Sequence, residues 1–379
     1  MSLVRELMKL KIKAIRGLVL AVMVAPLLAG CASEPGKPSS PNAAVSANDL
    51  AARAGLQDGR GRFREVFCAV LEEHGSELPD YRSCDEALTA DGVEAGATGE
   101  PVKLGQTEAN YLVLMVPGLG WECFADWLDF DGSASKHVAQ FGYDIQMLAV
   151  DGLSSTENNA QQIRDYIAKL PPEQADMPII LAGYSKGAPD ILTAVVAYPE
   201  LQQRVVAVVS VAGSVAGSPL ADDATQGQAN MLIHVPGSTC DEGDNGAVAS
   251  LRTAVRQQWL ADNPLPQQIR YYSVVTYPEP ERVSWGLRNG YRILGGVDPR
   301  NDTQVLIPDQ MIPGSTLVAF VNADHWAIAV PVAREHEFIG STLVNRNDYP
   351  REAFLEALLR YVEEDLASGS NTERVREVE

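Results

Sequence analysis

The stretch PIILAGYSKGAPDILTAVVAYP, residues 178–199, determines how the rest of the chain is interpreted. It opens with an apolar run typical of a buried parallel strand and continues with the composition of a helix. Between them lies Gly183-Tyr184-Ser185-Lys186-Gly187, a G-x-S-x-G pattern. In this context the pattern predicts a sharp, strained turn that exposes the Ser185 hydroxyl, with glycines where side chains would collide. The alternative is a tight strand–helix turn that needs its glycines for packing only.

The neighbouring segments supply a regular alternation of strands and helices. Further strands are predicted at 111–120, 143–150, 204–213, 270–276 and 315–322. Helices are predicted at about 124–140, 156–170 (capped by Ser155 or Thr156), 186–198 and 350–367. Such alternation predicts an α/β fold whose mostly parallel sheet carries helices on both faces.

The alternation is interrupted at two places after late strands. The stretches at about 214–269, with a helix near 247–261, and 277–301 are rich in Gly, Asp and Pro. Insertions there lie above the carboxyl edge of a parallel sheet, so we interpret them as a cap. At the other end, residues 49–104 are interpreted as a largely helical extension, with Phe63, Val66, Phe67, Val70 and Leu71 at helical spacing.

A serine hydroxyl needs a base, and the chain has five histidines. We expect His74, His137 and His336 to lie at the surface, and His234, in an apolar run, to belong to the core. His325, in NADHWAIA, comes directly after the last predicted strand. Catalytic residues collect on that side of a parallel sheet, so His325 is the predicted general base.

A carboxylate is expected to orient the histidine, in the chain order Ser, Asp, His. Asp302 is the first choice, Asp309 the second and Asp298 the third. Each of these residues has the alternative role of a turn or cap residue.

Two backbone amides are expected to stabilise a developing oxyanion. One is the N–H of Lys186, directly after the nucleophile. The other is the N–H of Leu119, in the Pro117–Gly120 loop that follows the strand at 111–116.

Together these residues resemble the α/β-hydrolase superfamily, in particular its serine esterases and lipases. The resemblance rests on Pro117-Gly118-Leu119-Gly120, the G-x-S-x-G pattern, Asn301-Asp302 and Asp324-His325-Trp326, and covers about 105–365. It implies hydrolysis of a small-molecule or lipid ester through an acyl-enzyme, without a cofactor. Acyl transfer, amide hydrolysis and a non-catalytic binding role on the same fold remain alternatives. The sequence departs from many relatives in having Pro117 before Gly118 and Thr303 after Asp302.

The N-terminus has the pattern of an export signal. A basic segment and a short apolar run precede Leu28-Ala29-Gly30-Cys31, which resembles a bacterial lipoprotein lipobox. The resemblance implies cleavage after residue 30, lipidation of Cys31, and a membrane anchor in the outer membrane or cell envelope. Residues 31–48 are then a tether, and 368–379 a charged tail after the hydrolase domain at 105–367.

Four further cysteines allow three disulfide connectivities or free thiols. We prefer Cys68–Cys84, within the helical extension, and Cys123–Cys240, between two loops of the main domain.

The remaining sequence features mainly argue against particular ligands and partners. The formal net charge is −20, which argues against a nucleic-acid partner. No C-x-x-C pair supports a zinc site, and the acidic loop 240–245 is interpreted as solvated rather than as a calcium site, so no metal is predicted. Aromatic residues Trp121, Phe124, Trp127, Trp285 and Trp326 are candidates for an acyl pocket or plain core.

Overall fold

A seven-stranded sheet forms the centre of the molecule. The structure is a computed structural model that describes residues 55–123, 133–234, 238–240 and 242–376. The strands are β1 (Gln57–Asp58), β2 (Leu112–Val116), β3 (Asp144–Met147), β4 (Ile179–Tyr184), β5 (Val205–Val211), β6 (Arg270–Thr276) and β7 (Thr316–Val321). Their order in the sheet is β1-β7-β6-β5-β4-β2-β3, and every neighbouring pair is parallel. The six strands predicted from the sequence are confirmed, and the sheet is parallel throughout.

Helices connect the strands and cover both faces of the sheet. In chain order the described α-helices are α1 (Arg60–Glu73), α2 (Cys84–Ala87), α3 (Ser133–Ala139), α4 (Thr156–Ala168), α5 (Gly187–Ala197), α6 (Pro219–Asp223), α7 (Gln226–Ala229), α8 (Ala247–Ser250), α9 (Thr253–Asp262), α10 (Arg288–Gly295), α11 (Val332–Glu335), α12 (Glu337–Thr342) and α13 (Arg351–Arg376). Ser155 caps α4 by accepting a hydrogen bond from the Asn158 N–H. The last helix runs to Arg376 rather than ending at 367.

Alternating strand residues divide the apolar interior into two layers. On one face, Val113 and Ile180 pack in a cluster with α1 and α13. On the other, Leu114 and Leu181 pack with α4 and α5. Because successive strand residues point to opposite faces, continuous apolar strands are what a doubly covered sheet requires.

The N-terminal extension differs from its prediction in one respect. The apolar face of α1 is buried against α13, with Phe63 and Phe354 ring centroids 5.5 Å apart. However, β1 lies in a stretch that was predicted to be helical. It joins the sheet edge through the Gln57 N–H, which donates to the Ser315 carbonyl. Two polar residues carry no strand periodicity, which explains why the prediction missed them.

Several predictions fall on residues outside the described ranges. They are the signal segment 1–30, the tether 31–48 with Cys31, and the aromatic candidates Phe124 and Trp127. Within the described ranges, every helix is too short or too polar to span a bilayer.

Both preferred cysteine pairs are disulfide-bonded in the structure. Cys68 and Cys84 join α1 to the start of α2. Cys123 and Cys240 join the loop after β2 to the insertion after β5. The second bond therefore ties the predicted cap to the edge of the sheet that carries the site described next.

Candidate active site

Ser185 occupies a strained turn between β4 and α5. Its φ is 54°, in the left-handed region that non-glycine residues rarely adopt. A Cβ on Gly183 would lie 2.6 Å from the Ala188 nitrogen, and one on Gly187 would lie 2.1 Å from the Val116 carbonyl oxygen. Both glycines are thus required by close backbone packing, as the G-x-S-x-G pattern predicted. The Ser185 N–H donates to the Val211 carbonyl, which holds the turn against β5.

His325 meets Ser185 from the loop after β7. Its Nε2 lies 2.9 Å from the Ser185 Oγ. The backbone of this loop is fixed at two points: the His325 N–H donates to the Asp302 carbonyl at 2.9 Å, and the Tyr184 hydroxyl donates to the His325 carbonyl at 2.8 Å. The histidine ring is almost completely buried, so its position is set by packing as well as by hydrogen bonds.

Asp302 completes a chain of hydrogen bonds through the imidazole. Its Oδ2 lies 2.7 Å from His325 Nδ1 and accepts a second bond, of 2.6 Å, from the Thr276 hydroxyl. Its Oδ1 accepts from the Gln304 and Val305 N–H groups at 2.9 and 2.8 Å. The carboxylate is fully buried and both oxygens are occupied, so it has one orientation.

The other two candidate acids lie elsewhere. Asp309 is buried in the short 3-10 helix Ile307–Gln310, where its carbonyl accepts from the Ala216 N–H. Burial, with the nearby charges of Asp222 and Asp298, raises the pKa of Asp309 to about 7. Asp298 pairs with Arg300 at 2.8 Å. The structure therefore brings Asp302 to the histidine and not Asp309 or Asp298.

The loop after β2 runs directly against Ser185. A Cβ on Gly118 would lie 3.0 Å from the Ser185 Cβ, so a side chain there would push against Ser185. Leu119 follows Gly118 in this loop, and Lys186 follows Ser185. In the parts of the chain that the structure describes, neither the Leu119 N–H nor the Lys186 N–H donates to a backbone acceptor in a loop or turn. The two amides directly follow Gly118 and Ser185 in the chain, which is compatible with the predicted oxyanion site.

The Lys186 side chain forms a buried ion pair with Asp190. Its ammonium lies 2.8 and 2.9 Å from the two carboxylate oxygens of Asp190, one helical turn along α5. Both side chains are buried, and the Asn159 amide donates to Asp190 at 2.8 Å. Burial raises the pKa of Asp190, and the attraction of Lys186 opposes this rise. The pair anchors the first turn of α5, and with it the Lys186 N–H.

Sequence reasoning missed two residues that support the histidine. Asp324, directly before His325, accepts hydrogen bonds from the N–H groups of Ser284, Trp326 and Ala327 at 2.9, 3.2 and 3.0 Å. It therefore holds the histidine loop in shape. Thr276, at the end of β6, bonds Asp302 as described above. A polar residue at the carboxyl end of a parallel strand was the available signal for Thr276.

The aromatic candidates divide into two groups. Trp121 and Trp326 pack with Tyr184 in an apolar cluster that includes residues of α11 and α12. The Trp121 and Tyr184 ring centroids are 6.1 Å apart. Trp285 is 60% exposed and does not belong to this cluster. Residues 332–342 thus lie close to the site, although the predicted cap segments, 214–269 and 277–301, did not include them.

The acidic loop at 240–245 has a structural role in its described part. Asp244 accepts from the Ser155 N–H at 2.7 Å and from the Gly246 N–H at 2.9 Å. Its carboxylate is therefore engaged at the start of α4, whereas Asp241 lies outside the described residues.

Comparison with known proteins shows which family the chain belongs to. No protein-family model and no curated protein match the chain. Among solved structures, the metagenomic carboxyl esterase MGS0156 is 39% identical, with a TM-score of 0.77, over 90% of this chain and 98% of that one. The lipase of Staphylococcus hyicus is 12% identical, with a TM-score of 0.52, over 72% of this chain and 100% of that one, which is a likeness of fold alone. These similarities confirm the predicted α/β-hydrolase fold, and the chain belongs to the α/β-hydrolase family that includes the carboxyl esterase MGS0156.

Proposed function

We propose that the protein hydrolyses carboxylic esters through an acyl-enzyme on Ser185. The observation that carries the proposal is the unbroken chain from the Ser185 hydroxyl through His325 to Asp302, with contacts of 2.9 and 2.7 Å. The similarity to a carboxyl esterase along nearly the whole chain supports the same reaction class. The substrate is a small-molecule or lipid ester.

The proposed first step is attack of the Ser185 oxygen on the ester carbonyl carbon. His325 Nε2 accepts the hydroxyl proton as the C–O bond forms, and then gives that proton to the departing alcohol oxygen. Asp302 accepts the Nδ1–H bond, which keeps Nε2 unprotonated in the resting state and stabilises the imidazolium. Water then attacks the acyl-enzyme with His325 again as the base, which releases the acid and restores Ser185.

The negative charge of the tetrahedral intermediate falls on the former carbonyl oxygen. The N–H groups of Leu119 and Lys186 are the proposed donors to it. Removing one donor of this kind costs about 3–4 kcal/mol of transition-state stabilisation in a serine hydrolase. Because Gly118 and the buried Lys186–Asp190 pair fix both amides before substrate binds, little reorganisation is needed during the reaction.

A series of p-nitrophenyl esters of increasing acyl length tests the proposal. Wild type should release nitrophenol with a maximum at one chain length, and Ser185→Ala should lose at least about 10³-fold in kcat. Ser76→Ala, which removes an exposed hydroxyl, is the matched control and should retain wild-type kinetics. Turnover by Ser185→Ala at the wild-type rate would refute the mechanism.

Two related reactions share the same acyl-enzyme. Product analysis with an added alcohol acceptor distinguishes acyl transfer from hydrolysis, and a p-nitroanilide of the preferred acyl group distinguishes an amidase. We expect the free acid as the main product and slower cleavage of the anilide, because an amine is a poorer leaving group than nitrophenolate. A folded protein without turnover of any of these substrates would instead indicate a binding role.

We also propose that Cys31 is lipidated and anchors the protein in the outer membrane or cell envelope. The support is the basic and apolar N-terminal segment that ends in Leu28-Ala29-Gly30-Cys31. Metabolic labelling with a fatty acid in a bacterial host that expresses the complete sequence should label the wild-type protein and not its Cys31→Ser variant. Equal labelling of both proteins would contradict the assignment.

A further inference from the structure

Three helices that are distant in sequence bring two histidines and a glutamate together. His74 stands at the C-terminal end of α1, His137 lies on α3, and Glu356 lies on α13. The Glu356 side chain is fully buried, His137 is buried, and 23% of the His74 side chain is exposed. His137 thus corrects the expectation that it lies at the surface. None of the three belongs to the proposed reaction centre.

The three side chains direct one ligand atom each to a common point. Glu356 Oε2 lies 3.0 Å from His74 Nδ1 and 2.7 Å from His137 Nε2, and the three atoms lie within 4.8 Å of one another. From these positions we propose that His74, His137 and Glu356 form a binding site for Zn²⁺. The proposal is independent of ester hydrolysis.

The donor set has the chemistry that zinc prefers. Two imidazole nitrogens and one carboxylate oxygen form a recognised set of three protein ligands for Zn²⁺. Bonds of about 2.0–2.2 Å in a tetrahedral site separate neighbouring ligand atoms by about 3.3–3.5 Å. To admit the ion, the carboxylate oxygen needs to withdraw from each ring nitrogen by less than about 1 Å, and the two ring nitrogens, which lie within 4.8 Å of each other, need to reach the same separation. Because 23% of the His74 side chain is exposed, the site is accessible from solvent, which could supply the fourth ligand.

Glu356 is held with one oxygen turned toward the rings. Its other oxygen, Oε1, accepts a 2.7 Å hydrogen bond from Arg360 Nε, one turn along α13. The Arg360 guanidinium also donates to the carbonyls of Lys103, Leu104 and Gly105 at 2.8–2.9 Å. These bonds fix the guanidinium, so Oε2 stays directed at the imidazoles. Outer partners of this kind orient metal ligands.

The two imidazole rings are also held by packing. The Phe141 ring stacks on His74 with centroids 5.0 Å apart and meets His137 edge-on at 5.3 Å. The two histidine rings lie 5.9 Å apart in a T-shaped arrangement. Because both rings contact one aromatic side chain, neither can rotate freely away from Glu356.

A site with one ligand from each helix would join α1 and α3 to α13. A ligand that binds only the folded state stabilises it in proportion to the logarithm of its concentration over Kd. Zinc would therefore stabilise the docking of the N-terminal extension on the hydrolase domain. The competing account is a hydrogen-bond network in which both imidazole N–H groups donate to Oε2 without an ion.

Isothermal titration calorimetry on the full chain, stripped of metal with a chelator, distinguishes these accounts. We expect one Zn²⁺ per chain and, at about 100 times Kd, a melting temperature raised by about 4 °C. Co²⁺ in place of zinc should give the intense visible absorption of a tetrahedral site. His74→Gln and His137→Gln should each weaken zinc binding at least tenfold and remove the melting-temperature shift.

Two histidine variants outside the cluster serve as controls. His234 is exposed, which corrects the expectation that it belongs to the core. His234→Gln and His325→Gln, the latter in the proposed active site, should bind zinc as wild type does. Absence of stoichiometric zinc binding by wild type would overturn the proposal. So would equal binding by wild type and His74→Gln, or loss of binding in His325→Gln alone.

Discussion

The substitution Asp302→Asn tests the arrangement around His325 with almost no change in volume. The amide must place its NH₂ at one of two positions. At the Oδ1 position it would face the Gln304 and Val305 N–H groups at 2.9 and 2.8 Å, which sets donors against donors. At the Oδ2 position it would face His325 Nδ1 at 2.7 Å. The second orientation leaves only one repulsive contact, with the Thr276 hydroxyl.

That contact can be relieved within the site. The Thr276 hydroxyl lies 3.2 Å from Gln310 Oε1 and can donate there instead. The asparagine NH₂ then donates to His325 Nδ1, which forces the ring proton onto Nε2. A protonated Nε2 cannot accept the Ser185 proton, so the base is lost although the geometry is kept.

We therefore expect kcat of Asp302→Asn on the preferred p-nitrophenyl ester to fall about 10³–10⁴-fold, or roughly 4–5.5 kcal/mol in activation free energy. KM and melting temperature should change little, because no atom is removed. Asp309→Asn is the matched control and should stay within about threefold of wild type at neutral pH. A loss below tenfold in Asp302→Asn, or a larger loss in Asp309→Asn, would refute the assignment of Asp302.

Three further outcomes concern stability. Burial raises the pKa of Asp309 to about 7, from 3.8 for a free carboxyl, so the free energy of unfolding falls as pH rises between those values, by at most about 4 kcal/mol. Asp309→Asn should flatten that pH dependence in thermal melts, and an unchanged profile would contradict this pKa. Lys186→Met leaves the Asp190 carboxylate buried without its ammonium partner and should lower the free energy of unfolding by about 3–5 kcal/mol at pH 7, and by less at acid pH, where Asp190 is protonated. Denaturant unfolding measures this loss, and an equal loss in the double variant Lys186→Met/Asp190→Leu would argue against an unpaired charge as its cause. The disulfide Cys68–Cys84 closes a loop with a sequence separation of 16, so in the same assay the double alanine variant should lose about 3 kcal/mol of unfolding free energy. An unchanged free energy of unfolding would contradict a stabilising crosslink.

The sequence predicted the centre of the fold because its strands are strongly apolar. Segments such as Ile179–Tyr184 and Val205–Val211 are buried on both faces, and a continuous apolar run is their direct signature. The short strand Gln57–Asp58 could not be predicted. Its pairing depends on the backbone of β7 and not on its own side chains.

The candidate site was predictable where its residues follow a local pattern. Ser185 lies in a five-residue motif, and His325 follows the last strand. The sequence ranked Asp302 above Asp309, but which of them meets His325 depends on how the loop before the 3-10 helix Ile307–Gln310 folds, and chain order alone does not determine that. The support of Thr276 and the burial of His137 arise from contacts between distant elements, which periodicity does not report.

The role of Ser185 is tested most directly by its covalent capture. A p-nitrophenyl alkylphosphonate should release one equivalent of nitrophenol per chain, abolish ester turnover, and leave its phosphonyl group on the peptide that contains Ser185. Ser185→Ala should show neither the stoichiometric release nor the adduct. An adduct on another residue, or full ester turnover after complete labelling of Ser185, would contradict the account.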